Sequence, residues 1–116
     1  MSFDLDVLAI DPAASEDAVR AMVKRCRSGQ HPEGDLDERI VGFYESLRAR
    51  YPDFPPYPDD SPWVSMPLGV GIDHVRMCMS FGQRSAAALE LVVDLAARYG
   101  LTTYDPQGDE VARPQR

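Results

Sequence analysis

The chain has 116 residues, of which 44% are hydrophobic and 27% are charged, so its length and composition are those of about one globular domain. Twelve basic residues against nineteen acidic ones give a formal net charge of −7, which disfavours a phosphate-binding surface and excludes nucleic acid as an expected partner. No apolar run approaches the length of a transmembrane helix and no leader opens the chain, so we expect a cytoplasmic protein with no membrane partner.

The first half of the chain predicts one strand followed by two helices. Apolar residues alternate with other residues over 2–10, which is the period of a strand. Ser15 has the character of an N-cap and predicts a helix over 16–28, which ends before a glycine. A second apolar stripe predicts a helix over 36–50, and Pro52 disfavours its continuation.

A proline-rich segment over 51–63 holds five of the ten prolines of the chain. This density of proline excludes a helix and a central strand, so we predict an extended and stiff connection. Its aromatic residues Phe54, Tyr57 and Trp63 have two interpretations. They fold back onto one edge of the core, or they form a surface that binds a partner.

The second half of the chain predicts a hairpin, a helix and a last strand, followed by a polar and flexible tail. The returning strand of the hairpin carries methionines on one face, which indicates that this face belongs to the core. The predicted ranges are 63–68 and 74–81 for the hairpin strands, 69–71 for the turn, 83–99 for the helix, 101–105 for the last strand and 107–116 for the tail.

The order of these elements predicts a single α+β domain over 1–106. The order β-αα-β-β-α-β is that of a ferredoxin-like, split β-α-β layout with one additional helix. We therefore expect a four-stranded antiparallel sheet in the order 4-1-3-2, in which the first and third strands are central neighbours. The helices are expected to cover one face of this sheet and to leave the other face open.

The open face is where the sequence places carboxylate, imidazole and guanidinium side chains together. Strand alternation puts Asp4 and Asp6 on the same face as His74 and Arg76. In the first interpretation these residues form a ligand-binding site, in which an aspartate orients His74 as a general base and Arg76 holds an anionic group. In the second interpretation the residues are structural, and their charges pair across strands. We favour this second interpretation, because the pairing register of the strands cannot be read from one sequence.

Two cysteines and two histidines raise the question of a zinc site. Cys26, His31, His74 and Cys78 are together the ligand set of a structural zinc ion. However, Cys26 belongs to a helix that is expected on the covered face, whereas His74 and Cys78 point to the open face. We therefore predict no metal and no cofactor, and we expect both thiols to be reduced.

Three stretches of the sequence carry a resemblance. They are the opening Ser-Phe-Asp-Leu, the central Arg-Tyr-Pro-Asp and Asp-Asp-Ser-Pro-Trp, and Leu-Ala-Ala-Arg-Tyr-Gly-Leu followed by Tyr-Asp-Pro-Gln. In these stretches the chain resembles a group of small uncharacterised bacterial single-domain proteins, typical of actinobacteria. The resemblance implies no particular activity and no catalytic residue, although an immunity-type role beside toxins is one analogy.

The function predicted from the sequence is binding, with catalysis left open. No glycine-rich phosphate loop, nucleophile elbow or metalloprotease helix occurs in the sequence. The leading hypothesis is a non-catalytic interaction domain, immunity-type or regulatory, with an unknown protein partner. The alternative is a small-molecule-binding protein or enzyme that binds a small anion on the open face around His74 and Arg76, and a homodimer is one way to enclose that face.

Overall fold

The computed structural model describes residues 2–28, 34–54, 61–64, 68–80 and 83–114. Within these ranges the chain forms three helices and one five-stranded sheet, which is an α+β fold. The predicted helices agree with the observed ones to within two residues at each end. The elements are β1 (Ser2–Leu8), α1 (Glu16–Arg27), α2 (Glu38–Arg50), β2 (Gly69–Val70), β3 (His74–Ser80), α3 (Gln83–Arg98), β4 (Thr102–Asp105) and β5 (Glu110–Ala112).

The sheet is antiparallel at every pairing and has the order β2-β3-β1-β4-β5. As predicted, β1 and β3 are neighbours, and they pair from Ser2 opposite Ser80 to Leu8 opposite His74. The sheet has five strands where the sequence analysis expected four. The additional strand is β5, which pairs with β4 and comes from the residues that the sequence analysis assigned to the tail.

The strand expected over 63–68 is not continuous in the structure. Trp63 makes an isolated bridge to Met79, and the named strand β2 begins only at Gly69. Residues 65–67 lie outside the described residues.

The main core lies between one face of the sheet and the helices α2 and α3. The methionine face of β3 is buried there, as the sequence predicted. Leu5 and Val7 extend this face onto β1, and Phe43 of α2 and Val92 of α3 are fully buried against it. The buried members of this cluster also include Ile40, Leu47, Trp63, Leu68, Val75, Met77, Met79, Ala88, Leu95, Ala96 and Leu101.

The opposite face of the sheet is not open, because α1 packs on it. Val19 and Val23 of α1 form a second apolar cluster with Leu8 of β1 and Tyr104 of β4. The expectation that all helices cover one face is therefore wrong, and the described residues form three layers. The apolar residues that end β1 on this face give α1 a surface to bury, which is the physical reason for its position.

Helix α2 begins at an aspartate that caps it. Asp37 accepts a hydrogen bond from the backbone N–H of Arg39 and another from its guanidinium group, both at 2.9 Å. The hydrogen bond from the guanidinium group is the main reason that the pKa of Asp37 is lowered from its usual value, against the opposing effect of burial. The cap is therefore ionised at neutral pH.

We expect Val19→Ala to lower the free energy of unfolding by about 1–3 kcal/mol, because it removes buried methyl groups between α1 and the sheet. Val41→Ala on the exposed side of α2 is the matched control and should change stability by less than about 0.5 kcal/mol. Urea unfolding measures both. Equal effects of the two substitutions would contradict the packing of α1 on the second face.

We expect the stabilising effect of Asp37 to be lost at acid pH. A folded pKa below the unfolded value of about 3.9 means that the stabilisation is present above that value and disappears as the pH falls through the folded pKa. Urea unfolding from pH 7 to pH 2.5 should therefore show wild type and Asp37→Asn converging at low pH. Asp35→Asn, an exposed neighbour, controls for the general change in charge, and a gap between wild type and Asp37→Asn that persists at pH 2.5 would refute the idea.

Candidate functional site

The candidate functional site is a cleft between α1 and the turn that joins β2 to β3. Its volume is about 450 Å³. Two residues that the sequence assigned to ligand binding, His74 and Arg76, lie in its wall. The lining residues are Cys26, Leu36, Gly69, Val70, Gly71, Ile72, His74 and Arg76.

The turn that forms one wall is held by backbone hydrogen bonds from two other elements. Ala9, which follows β1, donates its N–H to the carbonyl of Asp73 at 2.8 Å. Asp37, the N-cap of α2, donates its N–H to the carbonyl of Ile72 at 2.7 Å. Because the turn is tied to both the sheet and α2, the side chains that it presents have a fixed position.

His74 is buried in this wall, with only 4% of its surface exposed. Its Nδ1 lies 3.0 Å from Oδ1 of Asp73. The ring lies directly against Gly71, and a Cβ atom at that position would overlap the imidazole. Glycine at position 71 is therefore required by the close approach of the ring, and the backbone N–H of Gly71 also donates to the carbonyl of His74 at 2.9 Å.

Asp73 carries the negative charge beside His74. Arg25 of α1 donates from Nη2 to Oδ2 of Asp73 at 2.6 Å. Burial raises the pKa of Asp73, but the hydrogen bonds from His74 and Arg25 outweigh burial and lower that pKa below its usual value. A carboxylate only accepts hydrogen bonds, so Nδ1 of His74 carries the hydrogen in this contact.

Cys26 of α1 completes the cluster, and its position overturns the sequence argument against a metal. Ligand atoms of Cys26, Asp73 and His74 all lie within 4.8 Å of one another. The sequence analysis placed Cys26 on the opposite face of the sheet, which is wrong because α1 packs on the face that bears His74. Burial raises the pKa of the Cys26 thiol, as does the charge of Asp73. His31 lies outside the described residues.

The aspartates that the sequence assigned to the site lie outside the lining of the cleft. Asp6 is buried, and its Oδ2 accepts a hydrogen bond from Arg27 at 2.7 Å. Nε of Arg76 lies 3.6 Å from Oδ1 of Asp6, so Asp6 restricts the position of Arg76 without itself lining the cleft. Asp4 is bound through its backbone to the side chain of Gln107.

Sequence reasoning missed Asp73 and Cys26 as members of the site. Asp73 lies in a turn, where strand alternation says nothing about orientation. The only signal for it was its place next to His74 in the sequence, and the only signal for Cys26 was its residue type. Both required the position of α1, which brings Cys26 and Arg25 to the turn.

The aromatic residues of the proline-rich segment divide between core and surface. Trp63 is buried, and its Nε1 donates to the carbonyl of Tyr51 at 2.9 Å while the two rings meet edge to face. Phe54 is 51% exposed. Tyr57 lies outside the described residues.

Comparison with known proteins gives no match to a family model, to a curated protein or to a solved structure. Among the residues that the structure describes, no helix is long and apolar enough to cross a membrane. We therefore infer the function from the chemistry of the cleft.

We expect Gly71→Ala to displace the His74 ring and to lower the free energy of unfolding by about 1–3 kcal/mol, because the added methyl group overlaps the imidazole. Gly69→Ala is the matched control, since its Cβ would meet only Arg76 at an ordinary 3.6 Å. Urea unfolding and the NMR signals of the His74 ring report the two effects. Equal stability and unchanged ring signals in both variants would show that His74 is not seated against Gly71.

Proposed function

We propose that the protein binds a small organic anion in the cleft beside Arg76 and His74. The observation that carries the proposal is the composition of the cleft wall: it contains one arginine and one histidine, and none of the described lining residues is acidic. In a chain with a formal charge of −7, such a surface is unusual and favours an acidic ligand. A volume of about 450 Å³ is in the range of small-molecule sites.

The charges around Asp6 support this proposal. Two guanidinium groups, those of Arg27 and Arg76, lie against the single buried carboxylate of Asp6. The three side chains together therefore carry one net positive charge. Arg76 is 42% exposed, so its charge is accessible to a ligand in the cleft, while its contact with Asp6 restricts its position.

The apolar part of the wall supports a ligand with a carbon skeleton over a bare inorganic ion. Leu36, Val70 and Ile72 line the cleft together with the polar groups, and Leu36 and Val70 are exposed. Covering them with an apolar group contributes about 25 cal/mol per Å² of buried surface. A carboxylate or phosphate attached to an apolar body uses both parts of the wall.

The strand order supports a finer description of the fold. We propose that the layout is the ferredoxin-like, split β-α-β arrangement, extended by β5 and covered on its second face by α1. The order β2-β3-β1-β4 with antiparallel pairing is the basis of this proposal. We also propose a cytoplasmic location, which two free thiols favour because disulfides are rare in that compartment.

A second candidate function is protein binding through a groove beside α3. The groove has a volume of about 580 Å³ and lies between α3 and the strands β4 and β5. Val93 is an exposed apolar residue in its wall, with Glu90, Asp94 and Arg113 around it. Phe54 is a further exposed apolar residue. A contact between Phe54 and a protein partner would agree with the leading hypothesis from the sequence.

We expect carboxylates with an apolar group, such as benzoate, and phosphate monoesters, such as phenyl phosphate, to shift the NMR amide signals of Gly69 and Gly71. Arg76→Ala should weaken the binding at least tenfold, because a hydrogen bond to a charged group contributes about 1.5–3 kcal/mol. Arg48→Ala, an exposed arginine of α2 outside the cleft lining, is the matched control and should bind as wild type does. Binding that Arg76→Ala leaves unchanged would refute the proposal, as would the absence of any shift in wild type.

A further inference from the structure

We propose that Cys26, Asp73 and His74 form a binding site for one Zn²⁺ ion in the wall of the cleft. The ligand atoms of the three side chains lie within 4.8 Å of one another. Zinc bonds of about 2.0–2.3 Å in tetrahedral geometry put ligand atoms about 3.3–3.8 Å apart. Each ligand therefore moves by at most about 1 Å, which is within the reach of side-chain rotation.

The donor set selects the metal. A thiolate sulfur and an imidazole nitrogen favour Zn²⁺ over Mg²⁺ and Ca²⁺, which prefer oxygen ligands. Three protein ligands leave one position of the tetrahedron open, as in zinc sites that bind a water molecule or a substrate. Cys26 and His74 both line the cleft, so the open position is accessible to a ligand there.

Two of the three residues are buried and Asp73 is partly buried, which distinguishes the cluster from a chance group of surface acids. Cys26 is 5% exposed and His74 is 4% exposed. A buried thiol beside a buried imidazole and a carboxylate is a combination that packing alone does not require.

The surroundings hold the ligands in place before any metal binds. Arg25 fixes Oδ2 of Asp73, and the backbone N–H of Ala9 fixes the carbonyl of the same residue. The ring of His74 packs directly against Gly71. Such outer contacts orient the ligands of metal sites and commonly change metal affinity by about 10–100-fold.

The proton balance of the site is simple. The thiol of Cys26 loses its proton when it becomes a ligand, and that proton passes to solvent. The imidazole stays neutral, with its hydrogen on whichever nitrogen does not bind the ion. One thiolate and one carboxylate oppose the two charges of the ion and the charge of Arg25, so the cluster keeps one net positive charge. The inference does not rest on anion binding, because Arg76 is not among the ligands.

The test uses the full chain after treatment with EDTA and dialysis, titrated with Zn²⁺ alone by calorimetry and with Co²⁺ alone by absorbance. We expect one ion per chain and a sulfur-to-cobalt charge-transfer band in the near ultraviolet. Cys26→Ser should abolish the band, and Asp73→Asn should weaken Zn²⁺ binding at least tenfold. Cys78→Ser, the other free cysteine, is the matched control and should retain both signals.

Absence of one-to-one binding by wild type would overturn the proposal, and so would a charge-transfer band that survives in Cys26→Ser but disappears in Cys78→Ser. Circular dichroism of each variant checks that it is folded, and the wild-type cobalt spectrum reports thiolate ligation without any variant. Anion titrations in the presence of EDTA separate the two proposals. Anion binding that persists in EDTA supports the cleft on its own, whichever result the metal titration gives.

Discussion

The packing of α1 on the second face of the sheet is the contact on which the site depends. Val19 and Val23 bury their side chains against Leu8 and Tyr104, and this apolar contact fixes the position of the helix. The last turn of α1 is thereby brought to the turn between β2 and β3. Without this contact, the carboxylates of Asp6 and Asp73 would lose Arg27 and Arg25. Loss of these two ion pairs on displacement of α1 couples the position of the helix energetically to the site.

Carboxylates that are buried or partly buried join segments on both sides of the sheet. Asp53, at the end of the described part of the proline-rich segment, accepts hydrogen bonds at Oδ2 from the hydroxyl of Tyr44 at 2.6 Å and from the backbone N–H of Leu68 at 3.0 Å. Burial and the hydrogen bond to Asp53 raise the pKa of Tyr44 to about 12, so the hydroxyl remains a donor. Asp53 therefore joins α2 to the segment before β2, as Asp73 joins α1 to the segment after it. These hydrogen bonds determine which segments contact each other. Their net contribution to stability is small, because the cost of removing the carboxylates from water opposes them.

The cleft combines a fixed charge with an adaptable apolar wall. Its polar residues His74 and Arg76 belong to β3, next to a turn that two backbone hydrogen bonds hold in place. Its apolar residues Leu36 and Val70 lie outside the core and are exposed. Rigid polar groups reduce the entropy lost on binding, whereas exposed apolar groups gain from being covered. If the proposed zinc ion binds among Cys26, Asp73 and His74, it adds a second positive centre to the cleft beside Arg76.

The sequence by itself determined the three helices and the burial of the methionine face, because local periodicity and caps encode these features directly, and the order of the elements predicted that β1 and β3 are neighbours. It did not determine β5, whose three residues are too few to show the alternation of a strand. Nor did it locate Asp73 beside His74, because turns lack periodicity. The tertiary structure alone decided which face of the sheet α1 covers. An amphipathic stripe shows that a helix has an apolar side, but the partner of that side depends on contacts distant in sequence, and here those contacts bring Cys26 to His74.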